Sequence, residues 1–250
     1  MSNPRKLSHQ AHIRVIAPAS PAKDWKSFQS AVDQLRGFGF TVSFGKNFRK
    51  KQEYLAGSDT ERLKDLHDAY KDKTVDAILT LRGGYGTTRL LDKIEYSLIK
   101  KNPKPIIGFS DITALHLAIL TMTGVGSYSG PNLFSMFSGK SQYSFHHFLR
   151  AVLATSKKID LLTHSKKALQ KAKVIRPGTI KGKLVGGNLN LMCSLLGTKY
   201  FPKLKGTILF LEDVNEAPYK FDRLLTQLLN AGVLKGVRGI LIGQCHGCDN

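Results

Sequence analysis

Ser110 lies at the end of the apolar run in PIIGFSDITALHLAI (residues 105–119), where a strand-like stretch passes into a helix-like one. A serine at such a junction exposes its hydroxyl. The amide of the next residue, Asp111, then points from the helix start toward a developing oxyanion. The same two residues also suit the simpler task of starting a helix. GFSDI further lacks the second glycine of the usual nucleophile turn, so on this stretch alone both readings stand. A serine nucleophile needs a base, and His116 is the nearest histidine downstream. Six helical positions correspond to a rotation of about 240° and a rise of about 9 Å. His116 therefore points away from Ser110 and reads as a core or helix-face histidine.

Two other stretches carry candidate chemistry. RGGYG (82–86) follows an apolar run, and its glycines Gly83, Gly84 and Gly86 can bring backbone close to a ligand or form a plain turn. It fits neither the P-loop nor the dinucleotide fingerprint. LFLEDVNEAPYKFDRLL (209–225) sets Glu212, Asp213 and Glu216 at the end of an apolar strand. Carboxylates there are costly unless solvated, paired or used, and one of them could orient a catalytic histidine. Glu216 better suits an acid placed at a helix start. Cys245 and Cys248 form a single C-x-x-C with no second pair, which favours free cysteines over a metal or redox centre.

These residues need a scaffold, and the first half of the chain alternates strand-like with helix-like segments. HIRVIAPAS, TVSFG, VDAILTL, KPIIGFS and GVGSYSGP read as strands. Trp25, Phe28, Val32 and Leu35 mark one helical face, and Leu63, Leu66 and Tyr70 another, after a capping box at Ser58 and Glu61. SQYSFHHFLRAVLAT closes this half as a helix. The rhythm predicts an α/β fold with a parallel sheet and helices on both faces, whose ligands bind at the carboxyl ends of the strands. RGGYG and Ser110 both fall at such ends. The expected organisation is an N-terminal domain over 1–155, a polar, basic linker over 156–178, and a smaller α/β domain over 179–250. The last contains the strands around LVGGN, ILFLEDV and GILIGQC.

The formal net charge of +20 could signal an anionic partner. The lysines are scattered, however, and no nucleic-acid motif is present, so a solvated basic surface is the expectation and nucleic acid is not. No apolar run is long enough to span a bilayer and no export signal is visible, which predicts a cytoplasmic protein with no membrane partner.

RGGYGTTRLL, GFSDITALHLA, KLVGGNLNLMCSLLGT and ILFLEDVNEAPYKFDRLLTQL together, in this order, resemble the serine-type L,D-carboxypeptidases. That family includes muramoyltetrapeptide carboxypeptidase and the microcin C immunity peptidases. The resemblance implies a flavodoxin-like N-terminal domain, a smaller C-terminal α/β domain and a homodimer. It also implies cleavage of the terminal D-alanine from cytoplasmic murein tetrapeptides in peptidoglycan recycling, without cofactor or metal. On it, Ser110 is the nucleophile, Glu212 the orienting carboxylate with Glu216 as fallback, and the amides of Asp111 and Gly84 form the oxyanion hole. Arg82 and Gly83 are expected to contact substrate, with Arg82 a candidate for the D-alanine carboxylate. The family's catalytic histidine lies beyond the point where this sequence stops, and His246 does not match it. The expectations left open are therefore an L,D-carboxypeptidase, a microcin-immunity-type peptidase, or a catalytically impaired muropeptide-binding protein.

Overall fold

The computed structural model describes residues 3–22, 25–137, 143–153 and 173–248. The stretch 156–172 of the expected linker lies outside the described residues. Eight strands within them form two sheets. The first contains β1 (His12–Ile16), β2 (Thr41–Phe44), β3 (Ala77–Thr80), β4 (Ile106–Gly108) and β5 (Tyr128–Ser129), in the order β2-β1-β3-β4-β5. The second contains β6 (Lys183–Asn188), β7 (Thr207–Val214) and β8 (Gly239–His246), in the order β6-β7-β8. Every strand pairing is parallel. The chain forms the expected α/β class with its larger parallel sheet, and the smaller second sheet is parallel as well.

Alternation along the strands of the first sheet feeds two cores. Ile13, Val15, Ala77, Leu79 and Ile107 face the helices Trp25–Gly37 and Tyr143–Leu153. Ile16, Ile78 and Ile106 face the helices Asp59–Lys71 and Thr113–Thr123. The helix Thr113–Thr123 carries Ala114, Leu115, Leu117, Ala118 and Ile119, buried in the same cluster as Val185, Leu209 and Leu211 of the second sheet. One apolar helix thus joins the two sheets. Gly124 in the left-handed conformation ends it, the usual C-terminal stop.

The helix Asp59–Lys71 begins with the complete capping box between Ser58 and Glu61. Its buried face differs from the one the apolar spacing predicts. Arg62 and Asp65 are buried beside Leu66, Ala69 and Tyr70, while Leu63 is only partly covered. The order β2-β1-β3 reverses direction at β1, so the loops after β1, β3 and β4 meet above the carboxyl ends of neighbouring strands, the crevice such sheets use for ligands.

Candidate active site

Ser110 opens a short 3-10 turn, Ser110–Ile112, between β4 and the helix Thr113–Thr123. Its φ is 63°, in the left-handed region that a serine seldom occupies. Such strain persists only where the surroundings enforce it, and it turns the side chain out of the path of the strand. The sequence left nucleophile and helix cap both open. The side chain of Ser110 makes no capping bond, because the N-cap of the turn is Phe109.

The loop after β3 lies directly against it. A Cβ added to Gly83 would stand 3.1 Å from the Ser110 Cβ and 3.3 Å from its Oγ, so the absence of a side chain at 83 creates the space beside the hydroxyl. Gly84 has φ 116°, which only glycine adopts readily, and a Cβ there would collide with Ser20. Ser20, in the loop after β1, holds this turn from the other side. Its amide donates to the Gly83 carbonyl at 3.4 Å, and its Oγ accepts from the Tyr85 amide at 3.2 Å. The Gly84 amide has no acceptor among the described residues.

Asp111 is nearly fully buried, and its carboxylate accepts from the Thr87 amide at 3.0 Å while its carbonyl accepts from the Thr87 hydroxyl at 2.6 Å. Burial pushes this carboxyl above the ordinary range, against the pull of the Thr87 and Gly86 amides and the nearby Arg62. Asp111 therefore ties the nucleophile turn to the glycine turn. Arg82, half-buried at the end of β3, donates from Nη1 to the Pro21 carbonyl at 3.3 Å.

The second sheet reaches the same region through Asn188. Its amide donates to Thr113 Oγ1 at 3.1 Å, three residues beyond Ser110, and in the strand register it stands opposite Glu212. Along β7 the buried residues Leu209, Leu211 and Asp213 alternate with Phe210 and Glu212, so the two acids face opposite sides of the sheet. Asp213, buried, accepts from Asn188 Nδ2 at 2.8 Å, the Asn190 amide at 3.0 Å and the Val214 amide at 2.9 Å. Glu212 stands on the other face near Phe210 and Gly243. Burial, reinforced by the Asp213 charge, pushes its carboxyl up to about 7. Glu216, the fallback acid, accepts from Asn190 Nδ2 at 2.9 Å and lies 4.0 Å from Lys220, at the start of the following helix.

The histidines divide clearly. His116 is buried in the core and its ring is pushed down to about 4, so it stays neutral. His246 pairs in register with Val214, which puts it on the Glu212 face of the second sheet, exposed. Neither Ser20 nor Asn188 stands out by residue spacing. Ser20 carries no local signal beyond ending the APAS run. Asn188 could have been read as a helix N-cap, since its Oδ1 accepts from the Leu191 amide at 3.0 Å.

A family model for the LD-carboxypeptidase N-terminal domain matches residues 13–130, and one for the LD-carboxypeptidase C-terminal domain matches residues 181–250. The chain belongs to the LD-carboxypeptidase family. A protein of Bacillus subtilis named a probable murein peptide carboxypeptidase is 40% identical over 245 residues, covering 98% of this chain and 75% of that protein. Among solved structures of this fold, an MccF-like protein from Bacillus anthracis superposes with a TM-score of 0.89 at 35% identity, covering 98% of this chain and 81% of the other. A muramoyltetrapeptide carboxypeptidase from Oxalobacter formigenes superposes with a TM-score of 0.81 at 30% identity, covering 96% and 78%. The LD-carboxypeptidase domains thus contain both Ser110 and Glu212, one in each matched segment. Among the described residues no helix is long and apolar enough to cross a membrane.

Proposed function

We propose that this LD-carboxypeptidase is a serine-type enzyme that removes the terminal D-alanine from murein tetrapeptides, in the cytoplasm and as a homodimer, in peptidoglycan recycling. The observation that supports it most is the left-handed backbone of Ser110 at a strand end, pressed against a glycine turn whose Gly84 amide lacks an acceptor among the described residues. In this reading Ser110 Oγ attacks the carbonyl carbon of the amide before D-alanine. The amides of Asp111 and Gly84 accept the charge on the carbonyl oxygen as hydrogen-bond donors. Collapse of that intermediate breaks the C–N bond as the base returns the serine proton to the leaving nitrogen, releases D-alanine and leaves an acyl ester on Ser110, which water then hydrolyses. Gly83 provides room for the scissile group, and Arg82 faces the D-alanine carboxylate with the donors that Pro21 does not occupy.

Glu212 orients the base that takes the Ser110 proton. Its carboxyl titrates near 7, so it is charged only toward the alkaline side of neutrality. His246, on the Glu212 face of the sheet, is the first histidine to test for that base. The two expected domains, over 1–155 and 179–250, place the nucleophile in one and the carboxylate in the other.

Mass spectrometry of a murein tetrapeptide and the matching tripeptide after incubation with the protein tests the substrate. Loss of one alanine from the tetrapeptide, with the tripeptide untouched, is the expected result; an unchanged tetrapeptide, or cleavage at another bond, overturns it. The similarity to the Bacillus anthracis MccF-like protein favours a second reading, a microcin-immunity-type peptidase. Cleavage of an aminoacyl sulfamoyl nucleoside in place of the tetrapeptide would select it.

A further inference from the structure

Arg62 is the largest fully buried side chain among the described residues, an unusual place for a guanidinium, which is costly to bury without partners. Its partners lie on three separate segments. Nη1 donates to the Pro18 carbonyl, in the loop after β1, and to the Gly86 carbonyl at 2.9 Å, in the loop after β3. Nη2 donates to Asp59 in the first turn of its own helix. Asp59 in turn accepts from Arg89 Nε at 3.0 Å, so the pair is anchored to the 3-10 helix Thr87–Lys93 as well.

The two carbonyls flank the glycine turn beside Ser110. Pro18 lies two residues before Ser20, which holds Gly83 and Tyr85. Gly86 lies two residues after Gly84. The Thr87 amide donates to the Asp111 carboxylate at 3.0 Å, so the peptide between Gly86 and Thr87 is held by Asp111 on its N–H and by Arg62 on its C=O. None of the Arg62 and Asp59 contacts is made to the Ser110 hydroxyl; they hold the ends of the glycine turn whose Gly83 packs against it. A planar guanidinium can bond several carbonyls in fixed directions at once, which a lysine ammonium on a flexible stem cannot do equally well.

We infer that Arg62 is a positioning residue for the Ser110 site: it clamps the loops after β1 and β3 together and thereby holds the Gly84 and Asp111 amides at the spacing an oxyanion requires. The inference rests on the proposed serine chemistry for its catalytic consequence, but the clamp itself does not. Preorganised donors matter because they need no rearrangement during the reaction, and a loosened turn loses that advantage even when substrate still binds.

The test uses Arg62→Lys, which keeps the charge, and Arg62→Met, which keeps the volume without a buried charge and covers the case in which one variant fails to fold. Hydrogen exchange is read at the hydrogen-bonded amides of Tyr85 and Thr87 and, as internal reference, at those of β3 and β4. The clamp predicts that exchange in the turn rises roughly tenfold or more while the reference strands stay protected. Exchange that is unchanged, or that rises equally in turn and strands, overturns it. In parallel, kcat for D-alanine release should fall at least tenfold with KM within about twofold, the mark of an interaction made in the transition state. An unchanged kcat with a loosened turn removes the catalytic role. If the unmodified protein releases no D-alanine, the serine-peptidase reading and with it the catalytic role fail, while the exchange data still decide the clamp.

Discussion

Gly83 stands so close to Ser110 that a methyl group on it would come within 3.1 Å of the serine Cβ and 3.3 Å of its Oγ. Glycine at 83 therefore shapes the volume beside the hydroxyl. Gly83→Ala should force Ser110 out of position by a few tenths of an ångström. The expected loss is roughly ten- to a hundredfold in kcat/KM. Its melting temperature should move little by comparison. Kinetics and thermal melts of the same sample check both, and a large melting shift with unchanged turnover would show that the contact serves packing.

Asp213 should matter for stability more than for chemistry. Its buried carboxylate accepts from Asn188, Asn190 and Val214, joining the ends of β6 and β7. Asp213→Ala leaves those donors unsatisfied and should cost roughly 3 kcal/mol of unfolding free energy. Denaturant unfolding measures it, and a loss under about 0.5 kcal/mol would contradict this account.

Glu212 and His116 should tilt stability against pH in opposite directions. The Glu212 carboxyl is raised from 4.5 to about 7, so the folded protein holds its proton longer than the unfolded chain does. Its contribution is fully present below pH 4.5 and is lost as pH rises through 7. The His116 ring is lowered from 6.5 to about 4, so its contribution is present above pH 6.5 and is lost as pH falls through 4. The His116 effect is on the order of 3 kcal/mol. That of the half-exposed Glu212 is smaller, about 1 kcal/mol after solvent screening. Glu212→Gln should raise the melting temperature at pH 8 more than at pH 5. His116→Leu should flatten the acid limb between pH 6.5 and 4. Melts from about pH 4 to pH 8 check both signs, and a variant whose profile parallels the unmodified protein would refute that assignment.

Activity should follow Glu212 as well. An orienting carboxylate works only when charged, so turnover should fall as pH drops through about 7. A rate constant level from pH 8 to pH 5 would contradict that role.

Much of this arrangement is legible in the sequence. The alternation of apolar strands with amphipathic helices is a local pattern, and it located the strands and placed Ser110 and RGGYG at strand ends. The short helices Tyr96–Lys101 and Leu133–Met136 were missed, because one or two turns are too short to show a helical period. The burial of Arg62 was invisible for a different reason. A charged residue beside the apolar Leu63 reads as solvated, and only the loops that close over it reveal partners for its guanidinium. The link from Thr113 through Asn188 to Glu212 joins residues more than 70 positions apart, which no local pattern encodes. The left-handed backbone of Ser110 is also a product of its tertiary surroundings, since serine alone does not favour it.

The most direct test of the serine chemistry is the rate of D-alanine release from a murein tetrapeptide by the unmodified protein and by Ser110→Ala, at pH 8, where Glu212 is charged. The account predicts release by the unmodified protein that Ser110→Ala abolishes. Equal rates from the two, whether measurable or zero, would contradict it.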